Sequence, residues 1–232
     1  MGPWERLNGE IVSCARCPRL RAHCEEVARV KRRAFRDQTY WGRPVPGFGD
    51  TRARVLFCGL APAAHGANRT GRMFTGDDSG NWLYDALHRA GFATRSMSSG
   101  EGDGLALRDA FITAAARCAP PDNKPSPGEL AACAPFLDRE LALLDRVRVV
   151  VALGQIAWNA TLQCALRVDP ASLPSPRPKF GHGAEARVRV AAGGAPVTLL
   201  GSYHPSRQNT NTGRLTRGML DDVLERAREL AE

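Results

Sequence analysis

The chain has 232 residues, the length of one large domain. With 43% hydrophobic and 24% charged residues its composition is that of a folded globular protein, which excludes intrinsic disorder. Its 32 basic side chains against 24 acidic ones leave a formal charge of +8, which favours a polyanionic partner such as nucleic acid.

The first fifty residues are set apart by charge. Between Arg16 and Arg43 stand nine Arg or Lys residues against three acids, and the spacing predicts a helix over residues 20–30. Residues 39–50, with Pro44, Pro46, Gly47 and Gly49, read as a loop. Val55-Leu56-Phe57-Cys58-Gly59 is the first buried strand, and it empties into a glycine-rich loop reaching Gly80. A helix over residues 81–89 follows. A second strand surrounds Phe111-Ile112-Thr113, and Ser126-Pro127 signals the start of a helix over residues 127–144. A third strand over residues 147–153 leads into a helix over 154–166, and the proline-rich stretch 170–178 is an irregular loop. An edge strand at 187–190, an inner strand at 196–201 and a closing helix at 213–230 end the series.

Strands separated by helices imply an α/β fold. Residues 1–232 form a single three-layer α/β/α sandwich around a mostly parallel sheet, with residues 1–50 an Arg-rich amino-terminal segment. In such sheets ligands bind beyond the carboxyl ends of the strands. The loops expected there, residues 60–80, 114–124 and 202–212, point to one composite site.

No apolar run reaches the roughly 18 residues of a membrane span, and the stretch from Met1 to Glu10 lacks the apolar core of a secretory signal. A cytoplasmic protein is expected, with its seven cysteines reduced. Cys14 and Cys17 stand two residues apart just before Pro18, and Cys118 and Cys133 lie far down the chain. Four such thiolates suit either an iron–sulfur cluster or a tetrahedral zinc, and free thiols are an equal reading of the spacing. Cys24, Cys58 and Cys164 fall on predicted helices and a buried strand and are read as packing residues.

Two loops carry the remaining chemistry. The first, residues 59–80, joins small residues that permit close backbone approach to a planar ligand with Phe74, His65, Asn68, Asp77 and Asp78. It lacks the lysine of a phosphate-binding P-loop. Asp77 and Asp78 equally suit capping of the helix that follows, and Phe74 equally suits the core. The second loop, Tyr203-His204-Pro205-Ser206-Arg207-Gln208-Asn209-Thr210, offers an imidazole and groups suited to phosphate contacts.

Five segments occur in the order of one known family: Cys14-x-x-Cys17-Pro18-Arg19-Leu20, Gly59-Leu60-Ala61-Pro62-Ala63, Thr70-Gly71-Arg72-x-Phe74-Thr75-Gly76-Asp77, Arg117-Cys118-Ala119-Pro120-Pro121 and Tyr203 to Thr210. In these the chain resembles the uracil-DNA glycosylase superfamily, in particular its type-5, iron–sulfur branch, over nearly its whole length. The resemblance implies a [4Fe–4S] cluster on Cys14, Cys17, Cys118 and Cys133. It implies excision of uracil from double- and single-stranded DNA, and of other deaminated or modified bases such as hypoxanthine, hydroxymethyluracil and ethenocytosine. His204 becomes the expected donor to the departing base, with Asn68 or Asp77 the candidates to hold the attacking water. Gly59, Leu60, Ala61, Pro62, Ala63, Phe74 and Ala114 become the expected walls of a pocket for a flipped base. Ser206, Arg207, Gln208, Asn209 and Thr210 become expected DNA contacts.

Many superfamily relatives carry a carboxylate or amide in the first motif and an Asn after the second strand. Here those places hold Ala61 and Ala114. A pocket without a base-reading amide discriminates weakly, so a relaxed base spectrum is expected. A non-catalytic, lesion-sensing DNA binder on the same fold is the alternative, and an iron–sulfur electron carrier is a third reading resting on the cysteines alone. Nothing in the sequence calls for more than a monomer.

Overall fold

A computed structural model describes residues 2–232. The chain runs through α1 (Pro3–Val12), α2 (Pro18–Val30), β1 (Phe48–Gly49), β2 (Val55–Gly59), α3 (Ala67–Thr70), α4 (Asp78–Arg89), β3 (Ala110–Ala114), α5 (Pro127–Leu143), β4 (Val149–Leu153), α6 (Gln155–Val168), β5 (Glu185–Val188), β6 (Val197–Ser202), α7 (Arg207–Asn211) and α8 (Arg217–Ala231). The strands form one sheet in the order β1-β3-β2-β4-β6-β5. Its four inner strands pair parallel, and each edge strand pairs antiparallel.

Alternation along the inner strands builds two cores. Val55 and Phe57 of β2 face Leu83, Tyr84 and Leu87 of α4 and Leu220 and Leu224 of α8. Leu56 and Cys58 face the other way, onto Leu137 and Leu141 of α5 and Trp158 and Leu162 of α6. Strands buried on both faces read as unbroken apolar runs, which is why these were legible. Each fully buried large apolar side chain contributes about 1.5–3 kcal/mol relative to exposure. The expected three-layer sandwich is the observed one.

Helices α4, α5 and α8 begin on side-chain caps. Asp77 accepts from Gly80 N at 2.9 Å, Ser126 from Glu129 N at 3.2 Å and Thr216 from Met219 N at 3.2 Å. Glu129 returns a bond to Ser126 N, which completes a capping box at the predicted start of α5. Several expectations are corrected. Helix α4 starts at Asp78 rather than 81, because Asp77 is its cap. Helix α8 starts at Arg217 rather than 213, because Thr216 is its cap. Residues 39–50, read as loop throughout, contribute β1, and the first residues form α1, which buries Leu7 and Ile11 against Phe136. Among the described residues no helix is long and apolar enough to cross a membrane.

Candidate active site and thiol hollow

Strands β2 and β3 end side by side, with Gly59 opposite Ala114. The pairing continues beyond the strands, as Ala115 N donates to Gly59 O and Ala116 N to Leu60 O, both at 3.0 Å. Gly59, Pro62 and Ala114 are buried, whereas Leu60, Ala61 and Ala63 keep part of their surface. A Cβ on Gly59 would lie 2.7 Å from the Phe74 ring, so only glycine lets that ring rest on the strand end. Phe74 has φ of 52°, a left-handed conformation costing a residue of this kind about 1–3 kcal/mol. Its surroundings hold it there. The Gly80 Cα lies close under the Phe74 carbonyl, Tyr84 donates its hydroxyl to Met73 O at 2.9 Å, and buried Thr75 bonds Ser98 Oγ at 2.7 Å.

The His204 ring comes from just beyond β6 to face Phe74, with centroids 5.7 Å apart and planes inclined by 29°. Burial lowers its pKa to about 4, so at neutral pH the ring is uncharged and carries one N–H. Among the described residues nothing hydrogen-bonds to that ring. The pair therefore presents an aromatic face and an unused polar edge at the end of the parallel strands.

The two candidates for holding a water are placed differently. The Asn68 side chain is fully buried, and its Nδ2 donates to Cys24 O at 3.3 Å and Ala64 O at 3.4 Å. That amide ties α3 to α2. Its Oδ1 is buried without a protein partner, so any hold on a water falls to that atom alone. Asp77 spends Oδ1 on the α4 cap and turns Oδ2 onto Gly66, where a Cβ would be 2.1 Å away and 3.2 Å from the Ala63 Cβ. Asp77 thus both caps and faces the first loop. Burial raises its carboxyl pKa, opposed by bonds from Gly80 and Ser79 N–H.

The segment after His204 turns partly inward. Asn209 Nδ2 donates to His204 O at 2.9 Å, and Thr210 Oγ1 donates to Ser206 O at 3.1 Å. These two side chains, expected on DNA, brace their own turn. Arg207 and Gln208 are exposed, with Arg207 paired to Asp78 across the site, and Ser206 is half-buried at the start of α7.

Some distance along the chain from that pair, one hollow is lined by Cys14, Cys17, Cys118 and Cys133. Cys14 follows α1, Cys17 caps α2, Cys118 lies after β3 and Cys133 is on the second turn of α5. Burial pushes the Cys133 thiol up to about 11 and raises that of Cys17. Among the described residues no three metal-binding side chains are disposed to share one ion. A lone zinc needs its sulfurs about 2.3 Å from one centre.

The charges around the hollow fit as well. Arg16 lies over the Phe136 ring at 4.9 Å, and Arg21 and Arg117 complete the lining. Arg117 is 1% exposed and donates from Nη2 to the buried Glu140 at 2.5 Å, while its Nε and Nη1 have no protein partner. Buried guanidinium donors are costly to leave unpaired. A cluster on four thiolates carries net negative charge and accepts hydrogen bonds at sulfur, which is what these donors lack.

Residues 46–228 match the family model of the uracil DNA glycosylase superfamily. The chain belongs to that superfamily. A type-5 uracil-DNA glycosylase of Mycobacterium tuberculosis is 56% identical over 226 residues, covering 97% of this chain and 81% of its own length. A type-5 uracil-DNA glycosylase of Thermus thermophilus is 54% identical over 222 residues, 95% of each chain. A type-4 uracil-DNA glycosylase of Pyrobaculum aerophilum is 32% identical over 168 residues, 72% of this chain and 74% of its own.

Within this uracil-DNA glycosylase fold, sequence reasoning missed two residues of the sites. Glu140 had a signal, being a carboxylate on the α5 face that buries Phe136, Leu137 and Leu141. It accepts from Thr113 Oγ1 at 2.6 Å as well as from Arg117, and so links the hollow to the end of β3. His182, in Gly181-His182-Gly183, bonds the backbone directly before His204.

Proposed function

We propose that this protein removes uracil from DNA by hydrolysing the N-glycosidic bond of a nucleotide turned out of the helix. The observation that carries the reading is the uncharged His204 facing Phe74 over Gly59 at the strand ends. As the bond breaks, positive charge grows on the sugar and negative charge on the departing base. A neutral imidazole N–H placed at the base oxygen stabilises that charge without first being desolvated, and one such donor is typically worth about 10²–10³ in rate. Phe74 stacks on the base, and the small residues 59–63 admit it.

Asp77 holds the attacking water. Its Oδ2 faces the first loop and its raised pKa improves it as a base, whereas Asn68 is sealed between α2 and α3. Arg207, Gln208 and Ser206 meet the DNA backbone beside the pocket. Ala114 offers no hydrogen bond to a base, which supports a spectrum wider than uracil, reaching hypoxanthine, hydroxymethyluracil and ethenocytosine. Cys14, Cys17, Cys118 and Cys133 would hold a [4Fe–4S] cluster, beside which Arg117 has buried donors to spare. When bound, the cluster supplies a cross-link between the amino-terminal segment, the turn after β3 and α5.

Wild type and His204→Ala, offered a uracil-containing duplex and then alkali, test the reading. Strand cleavage by the wild type, reduced by at least about 10² in the variant with duplex binding retained, is the expected result. Binding without cleavage by the wild type would instead indicate a lesion sensor.

A further inference from the structure

The backbone N–H of Tyr203 lies where β6 outruns its edge partner. Strands β5 and β6 pair with Glu185 opposite Leu200. The pairing extends through Ala184 and Gly183, where Gly201 N donates to Ala184 O and Gly183 N to Gly201 O, both at 2.8 Å. Gly183 and Ala184 thus both bond Gly201, a bulge that ends the ladder, and beyond it a side chain takes over from the backbone at Tyr203. Tyr203 N donates to His182 Nδ1 at 3.1 Å, and His182 Nε2 lies 3.1 Å from Met219 O in the first turn of α8. Tyr203 N–H is only a donor, so Nδ1 bears the lone pair. Nε2 then bears the proton and donates it to Met219 O. Both ring nitrogens are committed, and the tautomer is fixed.

The same strand end is gripped from the sides. The His182 and Tyr203 rings lie 5.1 Å apart, Phe180 adds an edge contact at 6.2 Å, and Arg214 covers the Tyr203 ring at 4.7 Å. A Cβ on Gly201 would be 2.2 Å from Gly181 O, so the chain bearing His182 passes directly over β6. The next residue after Tyr203 is His204, whose own ring has no hydrogen-bond partner among the described residues.

We propose that His182 is a positioning residue for His204: as a neutral ring protonated at Nε2, it straps the Tyr203 backbone to α8 and so fixes where the His204 ring stands. The proposal rests on the reading of His204 as donor to the departing base. Such a donor acts only from the correct place, and a shift of about 1 Å at a reacting group can cost about 10² in rate.

Glutamine can accept from Tyr203 N and donate to Met219 O, and leucine can do neither. In single-turnover excision from a uracil duplex, His182→Leu is expected to lose about 10- to 100-fold, and His182→Gln to stay within about threefold of wild type. Affinity for a duplex with a non-hydrolysable 2′-fluoro uracil nucleotide should change less than about threefold in both. Equal rates for the two variants, or rate and affinity falling together, would overturn the proposal. Nitrogen-15 spectra of the wild type at pH 7 test it without any variant. A bare Nδ1 and a protonated Nε2 are expected for His182, and the opposite tautomer or a charged ring would refute it. His204→Ala separates the two readings. Lost excision there, with identical His182 variants, removes only the strap; retained excision removes both.

Discussion

The strand-end site and the thiol hollow are built on opposite plans. The pocket draws on two loops, each continuous in sequence and aimed by a parallel sheet, and its key ring is left uncharged with an unused edge. The hollow gathers four thiols from three separate stretches of chain, surrounds them with arginines and buries an ion pair at its wall. The first plan keeps polar groups poised for a visitor that leaves. The second leaves buried donors of Arg117 without a protein partner.

That contrast can be broken from the hollow side first. Arg117→Met strands Glu140 as a buried, unpaired carboxylate and should lower unfolding stability in urea by about 3–5 kcal/mol, while the double change with Glu140→Met should recover most of it. A single change no more harmful than the double one would mean that the pair does not hold that wall. On the pocket side, Phe74→Ala should reduce excision by an amount equivalent to about 1–3 kcal/mol of base stacking, read as kcat/KM on a uracil duplex.

Asp77→Asn sharpens the comparison, because asparagine can still accept from Gly80 N. Rate should fall with Tm unmoved; a fall in Tm equal to that of Asp77→Ala, which loses the cap worth about 1 kcal/mol, would assign Asp77 to capping alone. The smallest effect concerns pH. The His204 pKa falls from 6.5 to about 4 on folding, so the unfolded chain takes up a proton first as pH drops. Its contribution to stability is complete above about 6.5 and is lost progressively down to about 4. Measured by urea unfolding from pH 7 to 4, His204→Gln should lose less stability than the wild type.

The inner strands and the two long helices on each face were legible because a buried parallel strand needs an unbroken apolar run, and Ser126-Pro127 starts α5 as read. Helix α1 was not, since its buried face is only Leu7 and Ile11 and its partner, Phe136, lies on a helix far along the chain. The candidate wall residues could be listed from residue types, yet nothing local shows that Phe74 takes a positive φ or that Asn209 turns back to His204 O. Those outcomes depend on Gly59, Gly80 and the end of β6, which only tertiary structure brings near. The strap by His182 is invisible for the same reason, although two flanking glycines mark a place where backbone passes close to backbone.

Cys133 follows Cys14 by more than half the chain, with two inner strands of the sheet between them. A ribosome must therefore release β2, β3 and the start of α5 before the fourth sulfur can join the other three. The hollow therefore closes late in synthesis, and until then Leu7 and Ile11 of α1 lack Phe136, the ring they pack against.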